Sequence, residues 1–292
     1  MPKSTRRELF GLLATATTAV AAPKTRVPVG GHPWLYAKFR PNYDINGILD
    51  QIFADFRYAG MDGIELIHTV VLKQEAVDQA AELSRKNKLP IIGMSYQADM
   101  WDRTKHNAII DEVSLLLPRL QSLGGRTMGT GVGTPNRKKT SAELDSQADL
   151  LRKLIPLCRK HGVVLNLHNH TYEVKDGEYD LNGTLSRIPG APLGPDLGWL
   201  VETGIDPVDF IRRRGKQIVF AHLRDRKADG NWAEVMGEGV VDYAGVAREL
   251  RAAHFKGTLV IELTSSTGKL PERPLRECFK LSRDYVRRVM GW

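Results

Sequence analysis

Val163-Val164-Leu165-Asn166-Leu167-His168-Asn169-His170-Thr171-Tyr172-Glu173 is the stretch from which the rest of the chain can be read. It opens as an apolar, β-branched run of the kind that forms a buried strand. It closes on two histidines at i and i+2, followed by a carboxylate. Side chains alternate faces along a strand, so His168 and His170 are expected to point the same way. A buried strand that carries two imidazoles out of its C-terminal end is expected to serve a site.

Upstream, Trp34 to Phe39 reads as a first strand, and Ile45, Ile48, Leu49, Ile52, Phe53 and Phe56 recur at helical spacing up to Gly60. Gly63 to Ile67 is a second strand, Gln74 to Asn87 a helix, and Leu89 to Met94 a third strand. A helix over 106–122 leads to a weak fourth strand, Arg126 to Gly129. Thr140 and Glu143 form a capping box for a helix that Pro156 is expected to kink.

Downstream, Lys175 to Gly190 reads as a turn-rich insert, and Pro192 to Asp196 as a short, proline-framed sixth strand. A helix over 206–213 precedes a seventh strand, Gln217 to His222. Asp242 caps the next helix, Gly257 to Glu262 is the eighth strand, and a helix over 274–290 closes the chain. Strands alternating with helices imply right-handed parallel crossovers. Eight such units over about 270 residues fit an α/β fold of one domain, a (β/α)8 TIM barrel. The competing doubly wound sheet wants a glycine-rich fingerprint after its first strand, and none follows Phe39.

In such a barrel the active site is built at the C-terminal ends of the strands. The polar residues expected there are Glu65 and His68, His168 and His170, Asp196, His222 and Glu262. Any one of them is weak evidence, because a single strand-end histidine is more often a hydrogen-bonded structural residue. Four metal-type side chains at four consecutive strand ends rarely arise by chance. His168, Asp196, His222 and Glu262 make a mixed nitrogen and oxygen set for one divalent ion, suited to Mn, Co, Fe or Zn better than to Mg.

The runs Asn166 to Glu173, Pro195-Asp196-Leu197-Gly198-Trp199, His222-Leu223-Arg224-Asp225-Arg226, Gly237 to Tyr243 and Val260-Ile261-Glu262-Leu263 resemble the xylose isomerase-like TIM-barrel superfamily. That group includes sugar phosphate isomerases, epimerases and inosose dehydratases. The resemblance extends more loosely to Gly60-Met61-Asp62-Gly63-Ile64-Glu65 and so covers most of the chain. It implies a divalent metal held from strands five to eight. Many relatives carry Glu-Asn-His where this chain has His168-Asn169-His170, so His168 stands in the place of a glutamate. Asp196, His222 and Glu262 match the other ligands.

The expected chemistry is proton transfer next to a carbonyl through an enediolate, with Glu262 or His170 as base and Glu173 as a further base. Reprotonation gives a sugar isomerase or epimerase. Loss of a β-substituent gives a lyase or dehydratase on an inosose or 3-keto-glycoside. Glu65, His68, Asn169, Trp199 and Arg224 are the expected substrate contacts. Trp199 offers a stacking face, and Arg224 orients an oxygen or pairs with Asp225 or Glu238.

Residues 1–22 read as a Tat-type signal, with paired Arg6-Arg7, a mildly apolar stretch from Gly11 and Ala19-Val20-Ala21 before Pro23. The barrel is then expected over 23–292, exported through the Tat machinery to the periplasm, with no stable membrane span. The net charge of +8 and pI near 9.4 raise the question of a nucleic-acid partner. The basic residues are scattered, however, and an endonuclease IV-like nuclease would need further early-strand ligands beyond Glu65 and His68. No nucleic acid is expected, and homo-oligomerisation is left open. Cys158 and Cys278 read as buried small hydrophobes.

Overall fold

The first strand of the sheet is a short glycine-bearing segment, β1 (Val29–Gly31), upstream of the run expected to fill that place. Trp34–Ala37 is instead a turn of helix. The reason lies in packing. A Cβ on Gly30 would meet Ile92 at 2.6 Å, and one on Gly31 would meet Phe56 at 2.8 Å. Glycine, which weakens a strand by propensity, is here what the crowded barrel wall admits.

The computed structural model describes residues 27–266, 268 and 270–292, so the expected export signal lies outside the described residues. The remaining strands are β2 (Ile64–Ile67), β3 (Ile91–Gln97), β4 (Thr127–Gly131), β5 (Val164–Leu167), β6 (Phe220–Leu223) and β7 (Thr258–Ile261). All pair in parallel, in the order β5-β4-β3-β2-β1-β7-β6.

The proline-framed segment 192–196 fills the gap between β5 and β6. Leu193 bridges both Leu167 and Ile218, and Asp196 bridges His222, each in parallel. Pro192 and Pro195 have no N–H to donate, so the segment joins through their carbonyls, which accept from Leu167 and His222 at 2.8 and 2.9 Å. It acts as an eighth stave without a full ladder, and the fold is the expected TIM barrel. A Cβ on Gly194 would fall 1.8 Å from Asn166 Oδ1, so only glycine lets this stave close.

Helices surround the barrel. The helix Ser141–Lys160 starts on the expected capping box, with Thr140 Oγ1 accepting from Glu143 N at 3.2 Å and Glu143 Oε2 accepting from Thr140 N at 2.8 Å. It runs on through Pro156 to Lys160, where a kink was expected. The expected turn-rich insert is largely helical. Thr171–Arg187 forms two helical pieces about a non-helical corner at 175–178.

The C-terminal helix Leu275–Met290 packs on Leu49–Ala59, with the Phe56 and Phe279 rings 4.7 Å apart edge to face. Beneath them, buried Arg283 reaches Asp62 Oδ2 at 3.0 Å, and the same oxygen accepts from Val29 N at 3.0 Å. The pair ties the last helix to the first strand. Each fully buried Leu, Ile or Val of the core contributes roughly 1.5–3 kcal/mol. Cys158 and Cys278 are free and buried. Among the described residues no helix is long and apolar enough to cross a membrane.

Candidate functional site

The strand register sets the site. Gly31 pairs with Ile261 and Leu223 with Ile261, so His32, Arg224 and Glu262 follow one another around the same rim. His32 N donates to Ile261 O and Glu262 N to Leu223 O, both at 3.0 Å. His168 N donates to Thr130 O at 3.0 Å, fixing the exit of β5. The residues expected at separate strand ends therefore meet at one mouth.

His222 is the hub. Its Nε2 is 2.6 Å from Glu65 Oε2, and its Nδ1 is 3.2 Å from His168 Nδ1 and 3.0 Å from Glu262 Oε2. The donor atoms of His168, Asp196 and His222 all lie within 4.8 Å of one another. Glu262 borders this group through His222, while its Oε1 takes Arg224 Nη2 at 2.6 Å. The same guanidinium nitrogen lies 2.6 Å from Asp196 Oδ2, which nevertheless receives no well-directed hydrogen bond. Arg224 is thus held between two carboxylates and over the faces of Trp199 and Trp232, each ring centroid 5.4 Å away. Neither Asp225 nor Glu238 is its partner. Asp225 instead accepts from the backbone of Gly237, Gly239 and Val241.

Three buried carboxylates gather here, Asp196 and Glu262 on the Arg224 guanidinium and Glu65 and Glu262 on His222. Burial opposes charge on His222, but Glu65 and Glu262 outweigh it and raise the imidazole to about 10. Burial lifts the Asp196 carboxyl, with Arg224 opposing. Glu262 goes the other way, since Arg224 and His222 overcome its burial and hold it well below the usual range. Burial, reinforced by His170 and His222, keeps His168 well below the ordinary histidine value, so it is neutral near pH 7. A cluster that recruits positive charge, with a neutral imidazole and a poorly bonded carboxylate oxygen converging, fits a divalent cation. His168, Asp196 and His222 would hold it, with Glu262 at its edge.

Other expected site residues divide in two. His68, His170, Trp199 and Arg224 line a cavity of about 480 Å³ together with His168, His222 and Glu262. Three others are occupied within the protein. Glu65 is fully buried against His222. Asn169 clamps the backbone of Asp196, accepting from its N at 3.1 Å and donating to its O at 3.3 Å. The buried Glu173 carboxylate accepts from His170 N at 2.7 Å and Val132 N at 3.3 Å, which leaves it capping a helix instead of facing a substrate. Asn169 and Glu65 therefore position metal-type donors, where substrate contacts were expected.

His32 is a site residue that the sequence reading missed. Its Nε2 meets Ser95 Oγ at 2.9 Å, and its Nδ1 lies 3.9 Å from Glu262 Oε1. Burial lowers its pKa, against the pull of Glu262 and Glu65. The available signal was Val29-Gly30-Gly31-His32, a short run ended by a histidine.

The model for the family described as xylose isomerase-like TIM barrel matches residues 53–285. No curated protein matches the chain. Among solved structures, a sugar phosphate isomerase/epimerase from Parabacteroides distasonis aligns with TM-score 0.72 at 14% identity, covering 92% of this chain and 97% of that one. A D-allulose 3-epimerase from Methylomonas sp. aligns at TM-score 0.70 and 16% identity, over 90% and 98% of the two chains. A 3-keto-D-glucoside 4-epimerase from E. coli aligns at 0.65 and 15%, over 91% and 100%. At these identities the likeness is one of fold.

Proposed function

Because the chain belongs to the xylose isomerase-like TIM-barrel family, we propose that it is a divalent-metal-dependent isomerase or epimerase of a sugar or keto-sugar. One observation carries the reading. The Glu262 carboxylate and the His168 imidazole flank His222 at 3.0 and 3.2 Å, on the wall of a cavity of about 480 Å³. A bound divalent cation supplies Lewis-acid stabilisation of the charge that grows on a carbonyl oxygen when the neighbouring carbon loses a proton.

The protein's own groups do the rest. Glu262 takes the proton from that carbon, leaving an enediolate, and Arg224 keeps the carboxylate ionised and aimed. His170, lining the same cavity, exchanges the second proton. Return of the proton to the adjacent carbon isomerises the sugar, and return to the other face epimerises it. Trp199 and Tyr96 exclude water from the wall they form.

A second reading, a lyase or dehydratase on an inosose or 3-keto-glycoside, is favoured by His168 where a paired carboxylate would serve simple epimerisation. His170 would then protonate a departing hydroxyl or glycosyloxy group. The Tat-type signal makes periplasmic location part of the proposal, tested by fractionation of the native host. The reaction itself is tested by incubating protein supplemented with Mn, Co, Fe or Zn with ketohexoses, inosose and 3-keto-glycosides, with products followed by NMR. An isomer or epimer supports the first reading and an eliminated product the second. Absence of any product with every metal contradicts both.

A further inference from the structure

The cavity continues past the donor cluster to a rim that proton transfer does not require. Trp34 and Tyr43 line it there, their ring centroids 5.1 Å apart and tilted by 39°. Tyr43 is 49% exposed, which marks the solvent end, whereas Glu262 and His222 at the other end are buried. The corner that presents Tyr43 is unusual. Asn42 and Tyr43 adopt φ of 52° and 54°, two successive non-glycine residues in the left-handed region. Such backbone persists where its surroundings demand it and concentrates at ligand clamps.

Charge narrows the ligand. Among the described residues lining the cavity, Arg224 is the one Lys or Arg, and its guanidinium is engaged by Asp196 and Glu262. A phosphate dianion therefore meets no free cation on this lining, and the Asp99 carboxylate on the wall is already paired with Lys105 at 2.6 Å. The volume of about 480 Å³ falls among pockets of roughly 300–1,000 Å³ that bury whole drug-sized ligands.

We propose that Trp34 and Tyr43 form an outer subsite for the second ring of an unphosphorylated glycoside, with the reacting ring at Glu262. The placement of the reacting ring rests on the carbohydrate reading above. A pyranose presents an apolar C–H face that packs on aromatic rings, and covering the exposed part of Tyr43 adds apolar burial.

The test compares D-fructose with isomaltulose, a ketose that carries a second ring, by calorimetry on the metal-loaded protein. Deuterium exchange from D₂O into each sugar is followed in parallel. Wild type is expected to bind isomaltulose about three- to tenfold more tightly, the worth of one stacked ring. Tyr43→Ala and Trp34→Ala are expected to lose that preference. Tyr43→Phe and the neighbouring surface change Phe39→Ala are expected to keep it. Equal or undetectable binding of the two sugars by wild type overturns the subsite, as does a preference that survives both alanine variants. D-fructose 6-phosphate binding more than about tenfold tighter than D-fructose overturns the unphosphorylated assignment. Exchange into both sugars without a binding preference removes the subsite alone. A Tyr43-dependent preference without exchange removes the reaction reading and leaves the subsite standing.

Discussion

His168 and His222 face each other through like atoms, Nδ1 to Nδ1, at 3.2 Å. The other nitrogen of His222 is committed to Glu65 at 2.6 Å. Once both rings are neutral at Nδ1, two lone pairs converge beside the Asp196 carboxylate, an arrangement that a cation relieves. The protein purified without chelator is expected to hold about one divalent ion per chain, measured by elemental analysis. Stripping it with chelator should lower the melting temperature by on the order of 5–10 °C, and readdition should restore it. Unchanged melting on removal and readdition would count against the site.

Glu65 orients His222 as carboxylates commonly orient metal-bound histidines. Glu65→Gln is expected to weaken metal binding by about 10- to 100-fold in calorimetric titrations, with the fold retained by circular dichroism. Asn169→Ala, which frees the Asp196 backbone, should move affinity in the same direction. Wild-type affinity in both variants would show that these residues only fill space.

Far from the mouth, Arg283 and Asp62 lock the last helix to β1. Arg283→Met removes a buried guanidinium that serves Asp62 Oδ2 and the carbonyls of Gly60 and Trp292, and losing hydrogen bonds to a charged group is expected to cost about 1.5–3 kcal/mol. Urea unfolding should show that loss, while metal affinity of the folded protein stays at the wild-type value. A cost below about 1 kcal/mol would place the pair among weak surface bridges.

The helix that begins at Ser141 makes a pH prediction with a definite sign. Hydrogen bonds from Arg137 first, then from the Thr140 backbone, lower the Glu143 carboxyl to about 2. Its folded value lies below its unfolded one, so its stabilisation is present above the unfolded value and is lost as pH falls through the folded value. Glu143→Gln, which can keep the capping box but loses the charge paired with Arg137, should therefore be less stable than wild type at pH 7, by roughly 0.2–1 kcal/mol. The difference should shrink between about pH 4.5 and 2. A gap that widens on acidification would reverse the assignment.

Most of the barrel was legible because β2, β3, β5 and β7 carry apolar runs and the helices carry caps and periodic stripes. β1 was not, since Gly30 and Gly31 are chosen by the proximity of Ile92 and Phe56, a tertiary fact. Shifting β1 toward Trp34 hid His32 from the mouth. The ligand-type residues were legible because each ends an apolar run. Their partners were not. The commitment of Asn169 to the Asp196 backbone and of Glu173 to Val132 N depends on contacts 27 and 41 residues away in sequence. Likewise, the two carboxylates that share Arg224 come from different staves.

The central claim is that Glu262 moves a carbon-bound proton beside a carbonyl. Its most direct test is deuterium incorporation from D₂O into a ketose substrate by metal-loaded wild type and by Glu262→Gln, with metal content matched. The account predicts solvent deuterium at the carbon next to the carbonyl with wild type, and a loss of at least about 100-fold in the variant. Equal incorporation by the two proteins would contradict it.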